Sequence, residues 1–483
     1  RLDGVTGVQT CALPISPRDL LRNIPSVAAV LQQTEAAWHA AGVPRRMLVD
    51  AVRAAVDHVR QVVASQAVEP PDKESVRRSI MDQVDRRMRA LAGPHYRKVI
   101  NATGIILHTA LGRAVLPARA IRQIQQELSG YSLVQVDVAT GKRSKRDERI
   151  EWLLQQLTGA EAATVVNNNA AATVVVLNTV AAGREVIVSR GQLVEIGGSF
   201  RLPEVMAAAG VKLVEVGTTN KTHLRDYERA ISEQTAAILR VHPSNYKISG
   251  FTAEVPLTPL VQLAHARGLI MIDDVGAGPL IDFSRFGFAP EPTLPQSVRT
   301  GADLITSSAD KLIGGSQGGI ILGGAPLIQA VRKNPWVRIV RPGKLTLAAL
   351  EATLTLFLDE SLALDQVPTL RMLRRPLSEI GRQAERMAHA VAQRVPEAGT
   401  EVVDGCSQMG SGSLPAQELP TRLVAVNPAA VSPDELARRL RQSSPPVFVR
   451  VHKGRVLLDP RTLLDGEEPI VIEALVAALT GGA

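Results

Sequence analysis

The strongest candidate for chemistry in this 483-residue chain is a single lysine, Lys311, in a glycine-rich turn. Residues 305–308 are typical of a strand that ends in small polar side chains, and residues 320–322 are typical of a second strand. A lysine amine among such small neighbours is suited to form a Schiff base with a carbonyl group. A surface lysine on a hairpin has the same local pattern, so the rest of the chain must decide.

Three further candidates precede Lys311 along the chain. An asparagine run, residues 167–169, opens a predicted helix, where free amides and the helix dipole attract phosphate. His242 and the pair Asp273–Asp274 each follow a predicted strand. Each has a structural alternative, because asparagine caps helices, aspartate caps turns and a lone histidine is often a satisfied structural residue.

Strands and helices alternate from residue 161 onward, which predicts a parallel α/β sheet covered by helices. In such sheets ligands bind at the carboxyl ends of the strands, where all four candidates fall. The predicted strands are residues 162–166, 185–188, 211–216, 236–241, 270–274 and 304–307.

The order of a phosphate turn, an aspartate and then a lysine resembles the fold-type-I pyridoxal-phosphate enzymes. The resemblance implies a mostly parallel, seven-stranded-type sheet, with an aspartate on the pyridinium nitrogen and a lysine bound to the cofactor. Asp274 is the predicted aspartate rather than Asp273, because it aligns with an Asp-x-Gly-x-Gly motif. Alternation along a strand also turns these two side chains to opposite faces.

Five motifs narrow the resemblance to the bacterial selenocysteine synthase family, from about Leu20 to the C-terminus. They are residues 101–113, 194–201, 242–246, 250–252 and 308–311, the last followed by two glycines within residues 314–315. The resemblance implies a cofactor site formed by Lys311, Asp274, Asn168, Asn169, His242, Ser308 and Gln192.

The resemblance also implies a reaction, conversion of seryl-tRNA(Sec) to selenocysteinyl-tRNA(Sec) with selenophosphate. The seryl amine would displace Lys311 from the pyridoxal-phosphate aldimine, and the freed Lys311 would remove the Cα proton. Loss of the β-hydroxyl would leave an aminoacrylyl-tRNA, to which selenium adds. In the family three arginines bind the selenium donor, and the matching positions are Arg113, Arg338 and Arg341.

Four regions are predicted along the chain. Residues 1–16 match nothing else in the chain and are predicted to be non-native or disordered, and residues 17–95 form a helical module with a basic last helix. The resemblance makes this module tRNA-binding, although a solvated face explains its arginines equally well. Residues 96–343 form the large cofactor-binding domain. Residues 344–483 form a small α/β domain, which begins with a helical pattern over residues 345–362.

Composition limits the classes of partner and the cellular compartments that fit this chain. The formal charge of +8 fits a polyanionic partner or a modestly basic protein without one, and the 3% of aromatic residues argues against base stacking as the main contact. Two distant cysteines predict no disulfide or metal site and fit the cytoplasm. No apolar run is long enough for a bilayer. The resemblance implies a homo-oligomer of dimers, such as a ring-shaped decamer.

Two other functions remain open from the sequence. The first is a pyridoxal-phosphate β-eliminating lyase acting on a small amino acid or amino-sugar acid. The second is a tRNA-binding protein with a relict catalytic domain. In the selenium transferase interpretation, the glycines at 314–319 are expected to leave room for a bulky substrate or a neighbouring subunit.

Overall fold

The chain folds into two compact units, Arg1–Lys98 and Val99–Ala483, in the computed structural model. The structure describes residues 23–65, 72–198, 200–243, 246–414 and 417–481. The prediction for residues 1–16 lies outside the described residues. Within them, no helix is long and apolar enough to cross a membrane.

The first unit is a helical module with its own apolar core. Its core includes Val52, Val56, Ile80 and Val84, none of which is exposed. The side chain of Asp72 accepts hydrogen bonds from the first-turn amides of the last helix, as its position before that helix predicts. The helices are α1 Val27–Ala40, α2 Arg45–Ser65 and α3 Lys73–Ala92.

The second unit holds the remaining described elements. Its helices are α4 Ala118–Glu127, α5 Glu148–Thr158, α6 Asn169–Ala181, α7 Leu202–Ala208, α8 Leu224–Ala230, α9 Leu257–Ala266, α10 Leu294–Thr300, α11 Ala325–Lys333, α12 Trp336–Ile339, α13 Lys344–Leu356, α14 Glu360–Gln366, α15 Pro368–Arg374, α16 Leu377–Arg394, α17 Pro433–Gln442 and α18 Glu467–Thr480. Its strands are β1 Ile100–Asn101, β2 Ala162–Val166, β3 Glu185–Ser189, β4 Glu195–Ile196, β5 Phe200–Arg201, β6 Lys212–Val216, β7 Thr235–Val241, β8 Ile270–Gly276, β9 Leu304–Ser308, β10 Gly319–Gly323, β11 Thr400–Ser407, β12 Leu419–Val426, β13 Val447–Phe448, β14 Arg450–His452 and β15 Arg455–Leu458.

A seven-stranded sheet with the order β2-β10-β9-β8-β7-β3-β6 forms the centre of this unit. The four ladders that join β9, β8, β7, β3 and β6 are parallel. Strand β10 is antiparallel to both of its neighbours, β2 and β9. Every residue of β7 is buried, as expected for a parallel strand covered on both faces. The predicted α/β class and the mostly parallel sheet are confirmed.

The glycines between β9 and β10 serve close packing inside the chain. A Cβ on Gly319 would lie 2.1 Å from the carbonyl oxygen of Asn168, and one on Gly314 would lie 2.4 Å from a methyl of Val367. Gly314 also has a φ of +74°, which disfavours other residues. Both glycines are buried. The expectation that they leave room for substrate or another subunit is therefore wrong, since this chain fills the space itself.

A four-stranded antiparallel sheet with the order β11-β12-β15-β14 lies in the C-terminal part of the unit. Strand β1, from the other end of the unit, pairs in parallel with β13, which places Ile100 in the core beside this sheet. Gly104 is needed there, because a Cβ would lie 2.1 Å from the buried Asp459 carboxylate. The asparagine–glycine part of the first family motif, residues 101–104, thus serves to join distant segments.

The helical pattern over residues 345–362 forms two helices rather than one. The first helix ends at Leu356, and Asp359 caps α14, because its side chain accepts a hydrogen bond from Ser361 N at 2.9 Å. Leu350 and Leu354 of α13 share a core with Ile305 of the large sheet. The boundary after residue 343 remains a prediction, since residues 99–483 form one compact unit.

Candidate active site

Lys311 lies in a tight turn directly after β9. Ala309 N donates to Gly318 O at 2.9 Å, and Gly315 N donates to Ala309 O at the same distance, which closes the turn. Lys311 is only 6% exposed, so it is not a surface lysine on a hairpin. Burial, and secondly the positive charge of Arg113, lower the pKa of its amine below the ordinary lysine value.

Asp274 is a buried carboxylate that interacts electrostatically with Lys311. It accepts hydrogen bonds from Asn169 Nδ2 at 2.9 Å, from Thr173 Oγ1 at 3.0 Å and from Gly276 N at 3.0 Å. Burial raises the pKa of Asp274, while these hydrogen bonds act in the opposite direction. Its negative charge raises the pKa of Lys311, so the two groups interact electrostatically.

Asp273 has a different environment, although it is the adjacent residue. Its carboxylate accepts hydrogen bonds from Arg240 Nη1 at 2.9 Å and from Ser297 Oγ at 2.7 Å. A buried ion pair with this many partners is already neutralised and has a structural role. The geometry therefore supports the choice of Asp274 over Asp273 for contact with a cationic group.

The side chains of the two predicted asparagines at the start of α6 have different hydrogen-bond partners. The side chain of Asn168 caps the helix by accepting a hydrogen bond from Ala171 N at 2.9 Å. The side chain of Asn169 turns to Asp274 instead. Both side chains are thus engaged within the chain, which leaves the helix amides as the groups expected to meet a phosphate.

Gln192, His242 and Ser308 lie at the ends of three strands of the same sheet. His242 N donates to Asp274 O at 2.9 Å, and Gln192 Oε1 accepts from Val241 N at 3.1 Å. Ser308 is the last residue of β9 and is 7% exposed. Burial, and secondly the charge on the Arg240 guanidinium, lower the pKa of His242 to about 4. Residues 244–245 of this predicted motif lie outside the described residues.

Arg113 reaches the lysine through its neighbour Asp310. The Arg113 Nη1 atom lies 2.8 Å from Asp310 Oδ2, and the side chains are 29% and 9% exposed. Arg113 adopts a φ of +62°, an uncommon conformation for a residue with a side chain. After burial, the positive charge of Arg113 is the next cause of the lowered pKa of Lys311.

Arg338 and Arg341 lie in and just after α12, next to the asparagine turn. The carbonyl oxygen of Val340, between them, accepts a hydrogen bond from Asn167 N at 2.8 Å. This bond links the arginine segment to the residue that precedes the α6 cap. The two arginines thus lie near the end of the sheet where Asp274 is held.

These arginines belong to a larger cluster of positive charge. The charges of Arg146, Arg338 and Arg143 lower the pKa of Arg341, with Arg146 contributing most. Arg146 is held in place because its Nη1 donates to Pro342 O at 3.2 Å. We call residues Arg143, Arg146, Arg338 and Arg341 the arginine cluster. The predicted membership of Arg113 in the same anion site remains a prediction.

Pyridoxal phosphate, the cofactor implied by the family, can be tested against these residues. It needs an amine for its aldehyde, an anion for its ring nitrogen and polar partners for its substituents. Lys311 and Asp274 supply the first two. Two buried polar atoms beside Asp274, Asn169 Oδ1 and His242 Nδ1, have no hydrogen-bond partner within the described part of the chain. The site therefore fits the cofactor.

Four residues at the site escaped the sequence prediction as functional candidates. Thr173 follows Asn169 by one helical turn, so the spacing i, i+4 was an available signal. Asp310 adjoins Lys311, but nothing in the sequence indicates that it pairs with Arg113. Arg143 and Arg146 lie in a basic segment, residues 141–147, whose local sequence does not indicate a partner.

Comparison with known proteins places this chain in a family. Residues 99–464 match the family profile described as L-seryl-tRNA selenium transferase, and residues 21–60 match the one described as selenocysteine synthase N terminal. The L-seryl-tRNA(Sec) selenium transferase of Solidesulfovibrio magneticus is 46% identical over 465 residues, 95% of this chain and 98% of that protein. The protein of the same name from Geobacter sulfurreducens is 44% identical over 457 residues, 94% and 98% of the two chains.

A solved structure agrees with the fold. The structure of a D-glucosaminate-6-phosphate ammonia-lyase matches with a TM-score of 0.55 and 21% identity, covering 80% of this chain and 96% of that one. At this identity the likeness shows the fold alone. The sequence matches, which cover nearly the whole chain at more than 40% identity, identify it further: the chain belongs to the L-seryl-tRNA(Sec) selenium transferase family.

Proposed function

We propose that this chain converts seryl-tRNA(Sec) to selenocysteinyl-tRNA(Sec) with selenophosphate, and that Lys311 is its catalytic residue. The observation that supports this role is the buried Lys311 amine, which lies within electrostatic reach of Asp274 and Arg113. The family has this activity by name, and the chain matches its members over nearly their full length. The lyase alternative has only the fold in its favour, since the ammonia-lyase is 21% identical.

Each residue of the site has a distinct task in this proposal. Lys311 would hold pyridoxal phosphate, and the Asp274 carboxylate, which Asn169 and Thr173 fix, would balance the positive charge of the cofactor ring. The cofactor, when bound, supplies a sink for the electrons left at the substrate Cα. Once released, Lys311 removes the Cα proton of the seryl group. Its lowered pKa makes the neutral amine available at lower pH than in an exposed lysine.

The reaction itself is tested by its product. Purified, cofactor-loaded protein is incubated with seryl-tRNA(Sec) and selenophosphate, and the amino acid released from the tRNA is identified by mass spectrometry. Selenocysteine is the expected product. Serine returned unchanged by loaded protein would overturn the proposal, and turnover of a free amino acid without tRNA would favour the lyase.

The arginine cluster is proposed to bind selenophosphate, with Arg113 contributing from the side of Lys311. Guanidinium groups donate paired hydrogen bonds to oxyanions, and mutual repulsion among the four arginines falls when an anion binds. The positive charges of Arg146 and Arg338 lower the pKa of Arg341, as expected where cations lie close together. A site of this kind attracts a multiply charged donor ahead of a neutral one.

Replacing Arg338 and Arg341 together with alanine is expected to raise the KM for selenophosphate by at least about 10-fold, because each hydrogen bond to a charged group contributes roughly 1.5–3 kcal/mol. Steady-state kinetics with seryl-tRNA(Sec) held constant measures this change. Arg229→Ala, on the exposed side of α8, is the control and is expected to leave the KM unchanged. An unchanged KM in the double variant would exclude the cluster as the donor site.

The first unit is proposed to bind tRNA through α3. Arg78, Arg86 and Arg87 are exposed on this helix. Their simultaneous replacement with alanine is expected to weaken seryl-tRNA(Sec) binding by about 10-fold and to lower the salt dependence of the Kd, because each phosphate contact releases counterions. Filter binding at several salt concentrations measures both quantities.

Two other arginines of α3 provide a matched control. Arg77 is paired with Glu74 at 3.0 Å, and Arg89 is paired with Asp85 at 3.5 Å, so their charges are partly compensated. Replacing Arg77 and Arg89 is expected to change tRNA affinity less than replacing the other three. Equal effects of the two sets would indicate only general attraction by positive charge.

The oligomeric state and location are also proposals. Tyr131, Leu133 and Val138 are at least two-thirds exposed. Arg143 and Arg146 follow in the same loop region, and several exposed apolar side chains in one segment fit a contact surface. This supports a homo-oligomer of dimers, such as a ring-shaped decamer, in which a partner covers the segment near the site. A cytoplasmic location is proposed from the two distant cysteines, of which Cys406 is free.

A further inference from the structure

A largely buried glutamate lies beside the histidine of the proposed cofactor site. Glu291 lies in the segment before α10, and its Oε2 atom is 3.5 Å from Nε2 of His242. The two side chains are only 12% and 15% exposed. None of the five motifs includes Glu291, and the roles proposed above leave it unused. A carboxyl group buried this deeply without a function is costly, so its position requires an explanation.

The pair is held close to neutrality by its surroundings. Burial raises the pKa of Glu291 to about 7, and burial with the charge on Arg240 lowers the pKa of His242 to about 4. The charge of Arg240 is itself compensated by Asp273 at 2.9 Å. Near neutral pH, the imidazole is therefore neutral and needs a single proton on one of its two nitrogens. Glu291 lies against the Nε2 edge of the ring, so it limits the orientations that the imidazole can adopt.

The other ring nitrogen of His242, Nδ1, is available to a hydrogen-bond partner from outside the described part of the chain. His242 Nδ1 is buried and has no hydrogen-bond partner within the part of the chain that the structure describes. Leaving a buried polar nitrogen unpaired costs roughly 1–3 kcal/mol. His242 N donates to Asp274 O, so the histidine directly follows the strand next to Asp274, and the proposal above assigns its ring to the cofactor site. A purely structural histidine–carboxyl pair would satisfy both nitrogens within the protein.

We propose that Glu291 is a positioning residue that fixes the orientation of His242, so that Nδ1 is presented to pyridoxal phosphate. This inference rests on the proposed placement of His242 in the cofactor site. Glu291 itself acts through the histidine and touches neither substrate nor cofactor. Its contribution is to organise the site before the cofactor binds, which lowers the cost of binding.

The experiment measures cofactor affinity rather than activity. Cofactor-free wild-type protein and variants are titrated with pyridoxal phosphate, and the Kd is obtained from the quenching of protein fluorescence. Glu291→Leu fills a similar space without a polar group and is expected to weaken binding about 10-fold, because His242 loses the polar neighbour that holds its ring. Glu291→Gln keeps a hydrogen-bonding group at Nε2 and is expected to stay within about threefold of wild type.

Controls separate positioning from folding. Glu228→Ala, on the exposed surface of α8, is expected to leave the Kd unchanged. Thermal unfolding of each cofactor-free variant shows whether it is folded, and Glu291→Ala replaces the leucine variant if leucine packs poorly. The double variant with His242→Ala completes a cycle, in which the Glu291 substitution should have no further effect once the histidine is gone.

The outcomes distinguish this inference from the site assignment on which it rests. If His242→Ala binds the cofactor as tightly as wild type, the placement of His242 is wrong and the inference fails with it. If His242→Ala binds weakly while Glu291→Leu binds normally, only the role of Glu291 is overturned. Additive effects in the double variant would also overturn it, because Glu291 would then act independently of His242.

Discussion

Lys311→Ala is expected to lower the turnover of seryl-tRNA(Sec) by at least about 1,000-fold, because one side chain both holds the cofactor and moves the Cα proton. The loss should appear in kcat more than in the KM for tRNA, since no proposed tRNA contact involves the lysine. The visible absorbance band of lysine-bound cofactor should also vanish. Single-turnover kinetics and absorbance spectra measure the two effects separately.

Two variants sharpen this test of Lys311. Lys311→Arg keeps the positive charge but cannot bond covalently to the cofactor, so it is expected to be as inactive as the alanine variant. Lys333→Ala removes an exposed lysine at the end of α11 and should keep full activity. A small primary amine added to Lys311→Ala should restore part of the proton transfer. Full turnover by Lys311→Ala would refute its proposed role, even if the product were selenocysteine.

Local sequence was sufficient to predict most elements of the large sheet. Six strands alternate with helices at spacings that periodicity detects, and β2 was predicted with the bounds Ala162–Val166 that the structure shows. The glycine-rich hairpin after β9 was also predictable, because four glycines follow one lysine within eight residues. Strand ends then placed the candidates on one edge of the sheet, since parallel strands share the direction of their carboxyl ends.

Partners across long sequence distances could not be predicted. Arg113 and Asp310 are 197 residues apart, and Asn169 and Asp274 are 105 residues apart. No periodicity relates such pairs, since only the folded sheet brings them together. The glycines were misinterpreted for a similar reason. An open space and a close intramolecular contact both require glycine, and the contact with Asn168 at Gly319 becomes visible only in the fold.

Asp274→Asn is expected to lower turnover by about 100-fold or more while the protein stays folded. Asparagine has nearly the same shape and can keep hydrogen bonds with Asn169 and Thr173, but it lacks the negative charge that a cationic ring nitrogen requires. The Kd for pyridoxal phosphate should rise as well. Stopped-flow kinetics of Cα proton removal from seryl-tRNA(Sec) tests the rate, and fluorescence titration tests the affinity.

Asp273→Asn provides a contrast from the adjacent position. This substitution leaves the buried Arg240 charge without its carboxylate and is expected to destabilise the fold by about 3 kcal/mol. The fraction that remains folded should keep nearly normal turnover. Loss of activity in Asp273→Asn without loss of stability would mean that the wrong aspartate had been assigned to the cofactor.

Asp274→Asn is expected to stabilise the cofactor-free protein, whereas Asp273→Asn is expected to destabilise the fold. Burial holds the folded-state pKa of Asp274 above its unfolded value, so the folded protein binds more protons than the unfolded chain between these two values. The stability of cofactor-free wild type therefore falls as the pH rises through that interval, and Asp274→Asn lacks this loss. At pH values above that interval, Asp274→Asn should unfold at a higher temperature than wild type when both proteins lack cofactor. An active site that binds a cation retains this charge for function, at a cost in stability that the bound cofactor offsets.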